Sequence, residues 1–439
     1  MCMTSIATAA EPRHPETPAL RQWLRQVLAD DELSVTPMDI RESAAWAHTR
    51  GAIRHNSGRF FNVVGVRGQG VAQPLLEQRE IGTLCFVFRA PAAEGAGPEV
   101  LVQAKVEPGN IGGAQLAPSL QATASNLERL HGGTAPPGAE FLHLPGLKTV
   151  SSTLQSEQGS RFLCKNNRNL SLSVSSQDLE PGLHRWLPVR QLLQALHEDC
   201  LINTDARSVL VCTPWEFLAG NEPFADSQPL AAELRRSFLA RADGPRLHGL
   251  KTGLERLRAA AAGPRLCALE EVPGVRVEPS GLVRAEAAGF LVRHVQVHSR
   301  SREVQCWDQP IVDSLGEGRA ELFAARLGQV LHFGFQALAE PGLSRHVELG
   351  PSQAAAPGEP EPAAGIPAGA VLLAACRQSD EGGRFYQDVT TYRLWDLGEA
   401  RPGSGLYWLT LADIGALLRG DGVFTNEART LLSLVLRYL

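Results

Sequence analysis

Short apolar runs bounded by Gly and Pro recur along the first half of the chain, and they predict β-strands. The predicted strands cover residues 59–66, 82–89, 99–106 and 161–174, and the last ends in an alternation of Leu170, Leu172 and Val174 with serines. Apolar residues at helical spacing predict helices over residues 20–28, 192–196 and 205–211. Several strands followed by helices favour an α+β fold over a doubly wound parallel sheet.

Several short motifs occur twice, in the same order. The clearest is Gln-Ala-x-x-Glu-Pro-Gly, whose glutamates, Glu107 and Glu340, are 233 residues apart. The other matching segments are 73–76 with 309–312 (offset 236), 159–162 with 382–385 (offset 223) and 205–207 with 427–429 (offset 222). Because the offset drifts only by the length of a loop, we interpret the chain as a tandem duplication of one α+β module.

The duplication sets the predicted domain boundaries. We place the first module at residues 20–215 and the second at 246–439, joined by a linker helix within 216–245. In the linker, a helix over 229–241 is expected to precede a turn at 243–245, and the second module is expected to end in a helix over 427–439. The Pro- and Ala-rich stretch 354–367 is typical of a surface loop.

Composition and charge exclude several classes of function. The 439 residues are 44% hydrophobic and 20% charged with a net charge of −5, so the chain lacks the basic character of a nucleic-acid-binding protein. The longest apolar run, residues 369–375, is too short to span a membrane. The N-terminus lacks the apolar segment of a secretory signal, and the eight cysteines include no CxxC pair, which favours reduced thiols in a cytoplasmic protein without a metal site.

The predicted strand at 99–106 carries the first candidate site. Its alternation places Gln103, Lys105 and Glu107 on one face, and Asn110 follows in a Gly-rich turn. This face is either a solvated polar surface or a catalytic strip that combines an ammonium group with a carboxylate. Gln103 and Glu107 have counterparts in the second copy but Leu338 stands in the place of Lys105, which indicates that the first copy holds the chemistry.

The second candidate is a cluster of cations after a Gly-Ser turn. If the segment is extended, Arg161 and Lys165 lie on one face of it. Such a strip either binds a diphosphate or is a solvated, charged strand. Arg384 repeats Arg161 within the same Gly-x-Arg-Phe motif, which favours the binding hypothesis.

Aromatic and small polar residues add further candidates, each with a structural alternative. Trp46 and Trp307 would either stack on a base or sugar or pack in the core. Residues that would either hydrogen-bond to a sugar or nucleotide or form turns are Gln121, Thr123, Ser125, Asn126 and His131. No dinucleotide-binding, P-loop, GxSxG or HExxH motif is present, so we expect acid–base chemistry without a cofactor.

Taken together, these motifs resemble the NDP-hexose 2,3-dehydratases of deoxysugar biosynthesis. The resemblance is carried by residues 100–123, by residues 55–61, by the two Gly-x-Arg-Phe motifs and by residues 302–310, so it extends over nearly the whole chain. It implies two fused Nudix-like α/β/α modules, a homodimer, and functional coupling to a 3-ketoreductase. The Nudix box itself is absent, which agrees with a metal-independent reaction.

The resemblance also implies a reaction. A lyase of this family removes water from C2 and C3 of a dTDP-4-keto-6-deoxyhexose and gives a 3,4-diketo-2,6-dideoxy sugar. The C4 ketone acidifies the C3 proton, so the site needs a base, a donor for the enolate oxygen and an acid for the departing hydroxyl. No redox cofactor is needed for these steps.

The resemblance finally implies roles for individual residues. Glu107 is the base or orients it, Lys105 stabilises the enolate or protonates the leaving hydroxyl, and His131 is the alternative acid. The residues expected to bind the dTDP-sugar are Trp46, Gln103, Asn110, Gln121, Thr123, Ser125, Asn126, Arg161, Lys165, Trp307, Arg384 and Tyr386. Two alternatives stay open: a non-catalytic nucleotide-sugar-binding partner of a pathway enzyme, and a Nudix-like diphosphate hydrolase, against which the missing metal carboxylates argue.

Overall fold

A computed structural model of the protein describes residues 17–68, 70–90, 97–175, 182–220, 222–225, 228–357, 365–399 and 405–439. These residues form helices α1–α9 and strands β1–β25, which fall into a first half (α1–α5 and β1–β13) and a second half (α6–α9 and β14–β25). Within the described ranges, no helix combines the length and the apolar character needed to cross a membrane.

The first half begins with a helix, continues with strands and ends with helices. Its helices are α1 (Thr17–Asp31), α2 (Ala124–Leu127), α3 (Val189–Gln194), α4 (Thr204–Cys212) and α5 (Trp215–Ala219). Its strands are β1 (Ser34–Pro37), β2 (Trp46–Thr49), β3 (Ala52–His55), β4 (Asn62–Gly68), β5 (Val71–Glu77), β6 (Gly82–Arg89), β7 (Glu99–Val106), β8 (Ala114–Ala117), β9 (Leu120–Ala122), β10 (Lys148–Ser156), β11 (Phe162–Leu163), β12 (Asn166–Val174) and β13 (His184–Pro188).

The second half has the same general order. Its helices are α6 (Pro229–Leu239), α7 (Gly244–Ala260), α8 (Leu411–Leu418) and α9 (Asn426–Ser433). Its strands are β14 (Arg265–Cys267), β15 (Arg276–Val277), β16 (Val283–Ala285), β17 (Phe290–His298), β18 (Cys306–Ser314), β19 (Glu317–Leu327), β20 (Val330–Ala339), β21 (Val347–Gly350), β22 (Gln353–Ala355), β23 (Val371–Ser379), β24 (Val389–Glu399) and β25 (Tyr407–Leu409).

Each half contains a large mixed sheet, and the two large sheets have the same strand order. In the first half the order is β10-β12-β6-β7-β13, with β8 on β7 and β9 on β6. In the second half it is β23-β24-β19-β20-β25, with β21 on β20 and β22 on β19. Both sheets have a parallel contact at the centre, between β12 and β6 and between β24 and β19.

Each half also contains a small sheet, and each receives one strand from the other half. Strand β1 of the first half pairs antiparallel with β17, so that Ser34 lies opposite His298. Strand β14 of the second half pairs antiparallel with β4, so that Arg265 lies opposite Arg67. The exchange ties the two halves together through backbone hydrogen bonds.

The turns after β7 and β20 make a second, reciprocal contact between the halves. The Gly109 N–H donates to the Gly382 carbonyl at 2.8 Å, and the Gly342 N–H donates to the Gly159 carbonyl at 2.8 Å. A Cβ at Gly109 would collide with the carbonyl oxygen of Phe385. Only glycine allows this approach, which brings the Gly-x-Arg-Phe motif of one half to the end of the central strand of the other.

Helices α4 and α9 pack against each other within the largest apolar core, which takes residues from both large sheets. Two buried arginines join the helices: Arg207 donates to Ser433 Oγ at 3.0 Å and Arg429 to Ser208 Oγ at 2.7 Å. Both guanidinium groups also donate to backbone carbonyls, which satisfies donors that would be costly to bury unpaired.

Most predicted elements of the first half are confirmed, with local differences. Strands β6 and β7 have the predicted bounds, and α1 and α4 cover the helices predicted over 20–28 and 205–211. The helix predicted over 192–196 is α3, which begins at Val189 and ends at Gln194, followed by a 3-10 turn over Ala195–His197. The strand predicted at 59–66 begins only at Asn62. The strand predicted at 161–174 is divided, because Cys164 has a positive φ of 54° and its N–H donates to Gly342 in the other half.

The linker prediction was wrong in one respect. The turn expected at 243–245 is the start of α7: the Asp243 carboxylate accepts from the Arg246 N–H at 3.0 Å as an N-cap, and Pro245 fits the first helical turn. Helix α6 ends at Leu239, close to prediction, and the predicted C-terminal helix is α9 followed by a short 3-10 turn. In the loop predicted at 354–367, residues 358–364 lie outside the described ranges.

Candidate active site

A cavity of about 460 Å³ lies where the turn after β7 meets the second half, within the size range of small-molecule sites. Predicted site residues that line it are Trp46, Lys105, Glu107, Gln121, Thr123, Asn126, His131, Lys165, Trp307 and Arg384. Lining residues that were not among the predicted site residues include His55, Gln78, Asn167, Asp205, Arg302, Glu303 and Glu381.

Lys105 and Glu107 lie at the end of β7, and both side chains are almost completely buried. The Lys105 Nζ is 4.0 Å from Glu107 Oε1 and donates to the Gln121 carbonyl at 3.2 Å. Burial lowers the pKa of Lys105 and raises the pKa of Glu107. The strip is therefore not a solvated surface, and β7 is buried on both faces.

Arg302 and Glu303 extend this pair from the second half. The Arg302 guanidinium NH1 is 3.5 Å from Glu107 Oε1, and its Nε donates to Glu303 Oε2 at 3.2 Å. Burial opposes ionisation of Glu303, but the charges of Arg302 and Lys105 outweigh it and hold the pKa of Glu303 at about 2. The site is thus a buried network of opposite charges.

Asp205 lines the cavity from the first turn of α4. The preceding N-cap residue, Asn203, accepts from the Ala206 N–H at 2.9 Å and donates to Gln121 Oε1 at 2.8 Å. Burial, followed by the charges of Glu157, Glu381 and Glu107, raises the pKa of Asp205 well above its usual range. This carboxyl was missed in the sequence, although the recurrence of Asp205-Ala-Arg as Glu427-Ala-Arg signalled it.

Arg384 and Lys165 are two further cations that line the cavity. The Arg384 guanidinium lies 4.3 Å above the Phe61 ring and donates to Gln78 Oε1 at 3.3 Å. The Lys165 Nζ donates to the Glu80 carbonyl at 3.2 Å. Burial lowers the pKa of both side chains, so an anionic ligand would stabilise their charges.

The two predicted tryptophans differ in their surroundings. Trp46 is 4% exposed and packs between His55 and Phe61, with its Nε1 donating to the Asp308 carbonyl at 2.8 Å. Trp307 is only partly buried and its Nε1 donates to Gln309 Oε1 at 3.0 Å. Trp307 is therefore the better placed of the two to stack on a ligand.

The imidazole ring of His131 lies at the cavity, and a hydrogen bond to Nδ1 fixes its orientation. Its Nδ1 accepts from the Gly133 N–H at 2.9 Å, and its Nε2 is buried without a hydrogen-bond partner among the described residues. Thr123 caps the short helix α2, and its hydroxyl accepts from the Asn126 N–H at 3.3 Å. The hydrogen bonds of a turn are therefore present in this segment, and Thr123, Asn126 and His131 also line the cavity.

Five predicted site residues do not line the cavity: Gln103, Asn110, Ser125, Arg161 and Tyr386. Asn110 donates to the Lys105 carbonyl at 3.3 Å, and Ser125 is held by Glu80, whose carboxylate accepts from its N–H and hydroxyl. Gln103 is buried within β7, and Tyr386 packs against the apolar cluster around Val297.

Arg161 lies in the second half's counterpart of the site. Its guanidinium is 4.4 Å above the Phe290 ring, and the charges nearest to it include those of Asp388, Asp380 and Glu340. The Gly-x-Arg-Phe motif of each half crosses to the other half, so Arg384 and not Arg161 faces Lys105 and Glu107. The sequence of neither motif, taken alone, indicates that it crosses to the other half.

The cavity combines buried carboxyl groups with several cations, a combination that suits acid–base chemistry on an anionic ligand. Among the described residues, no group of three or more His, Cys, Asp or Glu side chains is placed to hold a metal ion. The family profile described as NDP-hexose 2,3-dehydratase matches residues 17–213 and 254–435. The chain belongs to this family, and it is a lyase that removes water from a nucleotide-activated hexose.

Three curated relatives cover nearly the whole chain, and each is named a dTDP-4-dehydro-6-deoxy-alpha-D-glucopyranose 2,3-dehydratase. The protein of Saccharopolyspora spinosa is 31% identical over 94% of this chain and 89% of its own length. That of Streptomyces violaceoruber is 30% identical over 96% and 98%, and that of Amycolatopsis orientalis 30% over 95% and 90%.

Proposed function

We propose that the cavity removes water across C2 and C3 of a dTDP-4-keto-6-deoxyhexose, the class of substrate in the relatives' names, and releases a 3,4-diketo-2,6-dideoxy sugar. The observation that carries the proposal is the buried pair of Lys105 and Glu107 facing Arg302 inside the cavity. A carboxylate beside fixed cations is what enolisation next to a ketone requires.

Glu107 is the base that takes the C3 proton. Its Oε2 is buried and has no hydrogen-bond partner among the described residues, so this oxygen is free to meet a substrate proton. Burial raises the pKa of Glu107 above its ordinary value, which makes the carboxylate a stronger base than one in water. Arg302, at 3.5 Å from Oε1, keeps a deprotonated fraction available.

Lys105 stabilises the enolate that forms on the C4 oxygen. Its Nζ is fixed by the Gln121 carbonyl and sits 4.0 Å from the base, so one hexose ring can reach both groups. The negative charge that develops on the oxygen favours the ammonium form of a lysine whose pKa burial has lowered.

Arg384 and Lys165 hold the diphosphate, and Trp307 takes the thymine ring. A guanidinium fork and an ammonium group supply charge-assisted hydrogen bonds to phosphate oxygens, and neither side chain is paired to a carboxylate by a direct hydrogen bond in the described ranges. The partly exposed Trp307 provides an aromatic face at the same cavity.

The substitution Glu107→Gln tests the proposal. With dTDP-4-keto-6-deoxyglucose as substrate, loss of one water measured by mass spectrometry should fall by about 10²–10⁴-fold, as expected when a general base is removed. The matched control is Glu340→Gln at the equivalent position of the second half, which should keep wild-type turnover. Unchanged turnover of Glu107→Gln would contradict the proposal, and release of dTMP with magnesium would favour a diphosphate hydrolase instead.

We further propose that the two halves are duplicated Nudix-like modules and that only the first holds the lyase site. The identical strand order of the large sheets supports the duplication. Leu338, in the place of Lys105, supports a single active half. A homodimer, a cytoplasmic location and coupling to a 3-ketoreductase are additional proposals from the family, and light scattering of the purified protein tests the first of them.

A further inference from the structure

Asp205 is a buried carboxyl on a rigid element at the cavity wall. It is 3% exposed and occupies the first turn of α4. Arg207, two residues later, donates to the carbonyls of Ile202 and Leu196 and fixes the start of the helix. The carboxyl therefore has little freedom to turn away from the cavity.

One oxygen of this carboxyl is unused by the fold. Asp205 Oδ1 is buried and has no hydrogen-bond partner among the described residues, although buried polar atoms are normally paired. The residue lines the same cavity as Lys105 and Glu107. An unpaired, buried oxygen at a ligand cavity is explained by a partner that arrives with the substrate.

The surroundings of Asp205 favour its protonated form. The charged groups that act on it are Glu157, Glu381, Glu107 and Lys105, and burial together with the three carboxylates raises its pKa well above the usual range. The raised pKa favours the acid form of the carboxyl, which is the form that can donate a proton.

We propose that Asp205 is the general acid that protonates the C2 oxygen of the sugar as it leaves. The proposal rests on the proposed function, which defines that leaving group. Glu107 takes the C3 proton, and the electron pair of the C3–H bond forms the enolate on the C4 oxygen. As the enolate returns to the ketone, this pair forms the C2–C3 double bond and the C2 oxygen departs as water with the proton of Asp205. The enol then gains a proton at C2 and loses one from the C3 hydroxyl, which returns both carboxyls to their starting states.

The substitution Asp205→Asn, assayed with two leaving groups, tests this role. Loss of water from dTDP-4-keto-6-deoxyglucose should fall at least about 100-fold, because the leaving hydroxyl lacks its acid. Fluoride release from the 2-deoxy-2-fluoro analogue should change by less than about threefold, since fluoride departs without protonation. In D₂O, the variant should still exchange the C3 proton of the natural substrate, because Glu107 is intact.

Two further variants keep the result interpretable. Asp205→Glu places the acid one methylene further out, as Glu427 does in the second half, and should recover part of the water loss. Glu427→Gln is the matched control and should leave both reactions unchanged.

The idea fails if Asp205→Asn loses water at the wild-type rate, or if fluoride release and C3 exchange fall as far as water loss. If Asp205→Asn does not fold, the rates of water loss and fluoride release are compared in Asp205→Glu instead. The proposal then fails if water loss does not fall further than fluoride release. A wild-type protein that does not dehydrate the natural substrate would instead refute the proposed function itself.

Discussion

Burial changes the proton affinity of two ordinary side chains at the cavity, those of Lys105 and Glu107. Burial penalises both charges, so the pKa of the lysine falls and the pKa of the glutamate rises. In water the same groups would be fully ionised and would make a weaker base and a weaker acid at neutral pH.

Replacement of Lys105 by methionine should greatly slow turnover and leave the protein folded. Methionine fills a similar volume but supplies no charge for the enolate, so kcat should fall by about 10²–10³-fold, as for removal of one oxyanion donor. Thermal unfolding and steady-state kinetics measure the two effects. The control is Leu338→Met at the equivalent position of the second half, and equal kinetic losses in both variants would contradict the assignment.

Glu157 should make the protein less stable as the pH rises. Burial, and after it the charge of Glu381, raises the pKa of Glu157 to about 7, from an ordinary value of 4.5. Its folded-state pKa is raised, so its contribution to stability is complete below pH 4.5 and is lost as the pH rises through 7. Between pH 5 and pH 8 this amounts to about 2–3 kcal/mol.

The variant Glu157→Gln should make the stability of the protein less dependent on pH. The free energy of unfolding, measured with urea at pH 5 and pH 8, should differ between the two pH values by about 2 kcal/mol less than in the wild type. Asn426 Oδ1 has no partner in the described ranges and can accept from the new amide. Glu255→Gln, at an exposed position, is the control, and a profile that stays as steep in Glu157→Gln would refute the account.

At the scale of helices and strands, the hydrophobic pattern correctly predicted those elements whose bounds are set by the local sequence. Strands β6 and β7 have the predicted bounds because each is a β-rich run bounded by Gly or Pro residues. The division between β11 and β12 was not predictable, since the positive φ of Cys164 accompanies a hydrogen bond from the other half. Likewise, Lys105 and Glu107 were predicted from one strand, whereas Arg302 and Glu303 reach the site only through tertiary packing.

The substitution Gly109→Ala tests whether the turn after β7 positions the site residues. In Gly109→Ala, the new Cβ would collide with the Phe385 carbonyl and separate Arg384 from Glu107. Overpacking of this kind costs about 1–3 kcal/mol, so the melting temperature and kcat should fall together. In Gly249→Ala of α7, where no atom lies within 4 Å of the new Cβ, stability should rise slightly and kcat should stay the same. An unchanged Gly109→Ala enzyme would show that the contact is dispensable.

The whole molecule assembles one site from both halves. The base and the lysine come from the first half, but Arg302, Trp307 and Arg384 come from the second. The exchanged strands β1 and β14 and the paired turns at Gly109 and Gly342 fix this arrangement. The second half has Leu338 in the place of Lys105, but it supplies Arg302, Trp307 and Arg384 to the cavity.

Arg384 and Arg161 occupy equivalent positions, and dTDP binding should distinguish them. Arg384 faces the cavity, so Arg384→Ala should raise the Kd for dTDP by about 10–100-fold, the effect of losing a hydrogen bond of about 1.5–3 kcal/mol to a charged group. Arg161 does not line the cavity, so Arg161→Ala should keep the Kd and change only the melting temperature. Isothermal titration calorimetry should also give one dTDP per chain. Equal weakening in both variants, or two dTDP per chain, would mean that the second half binds nucleotide as well.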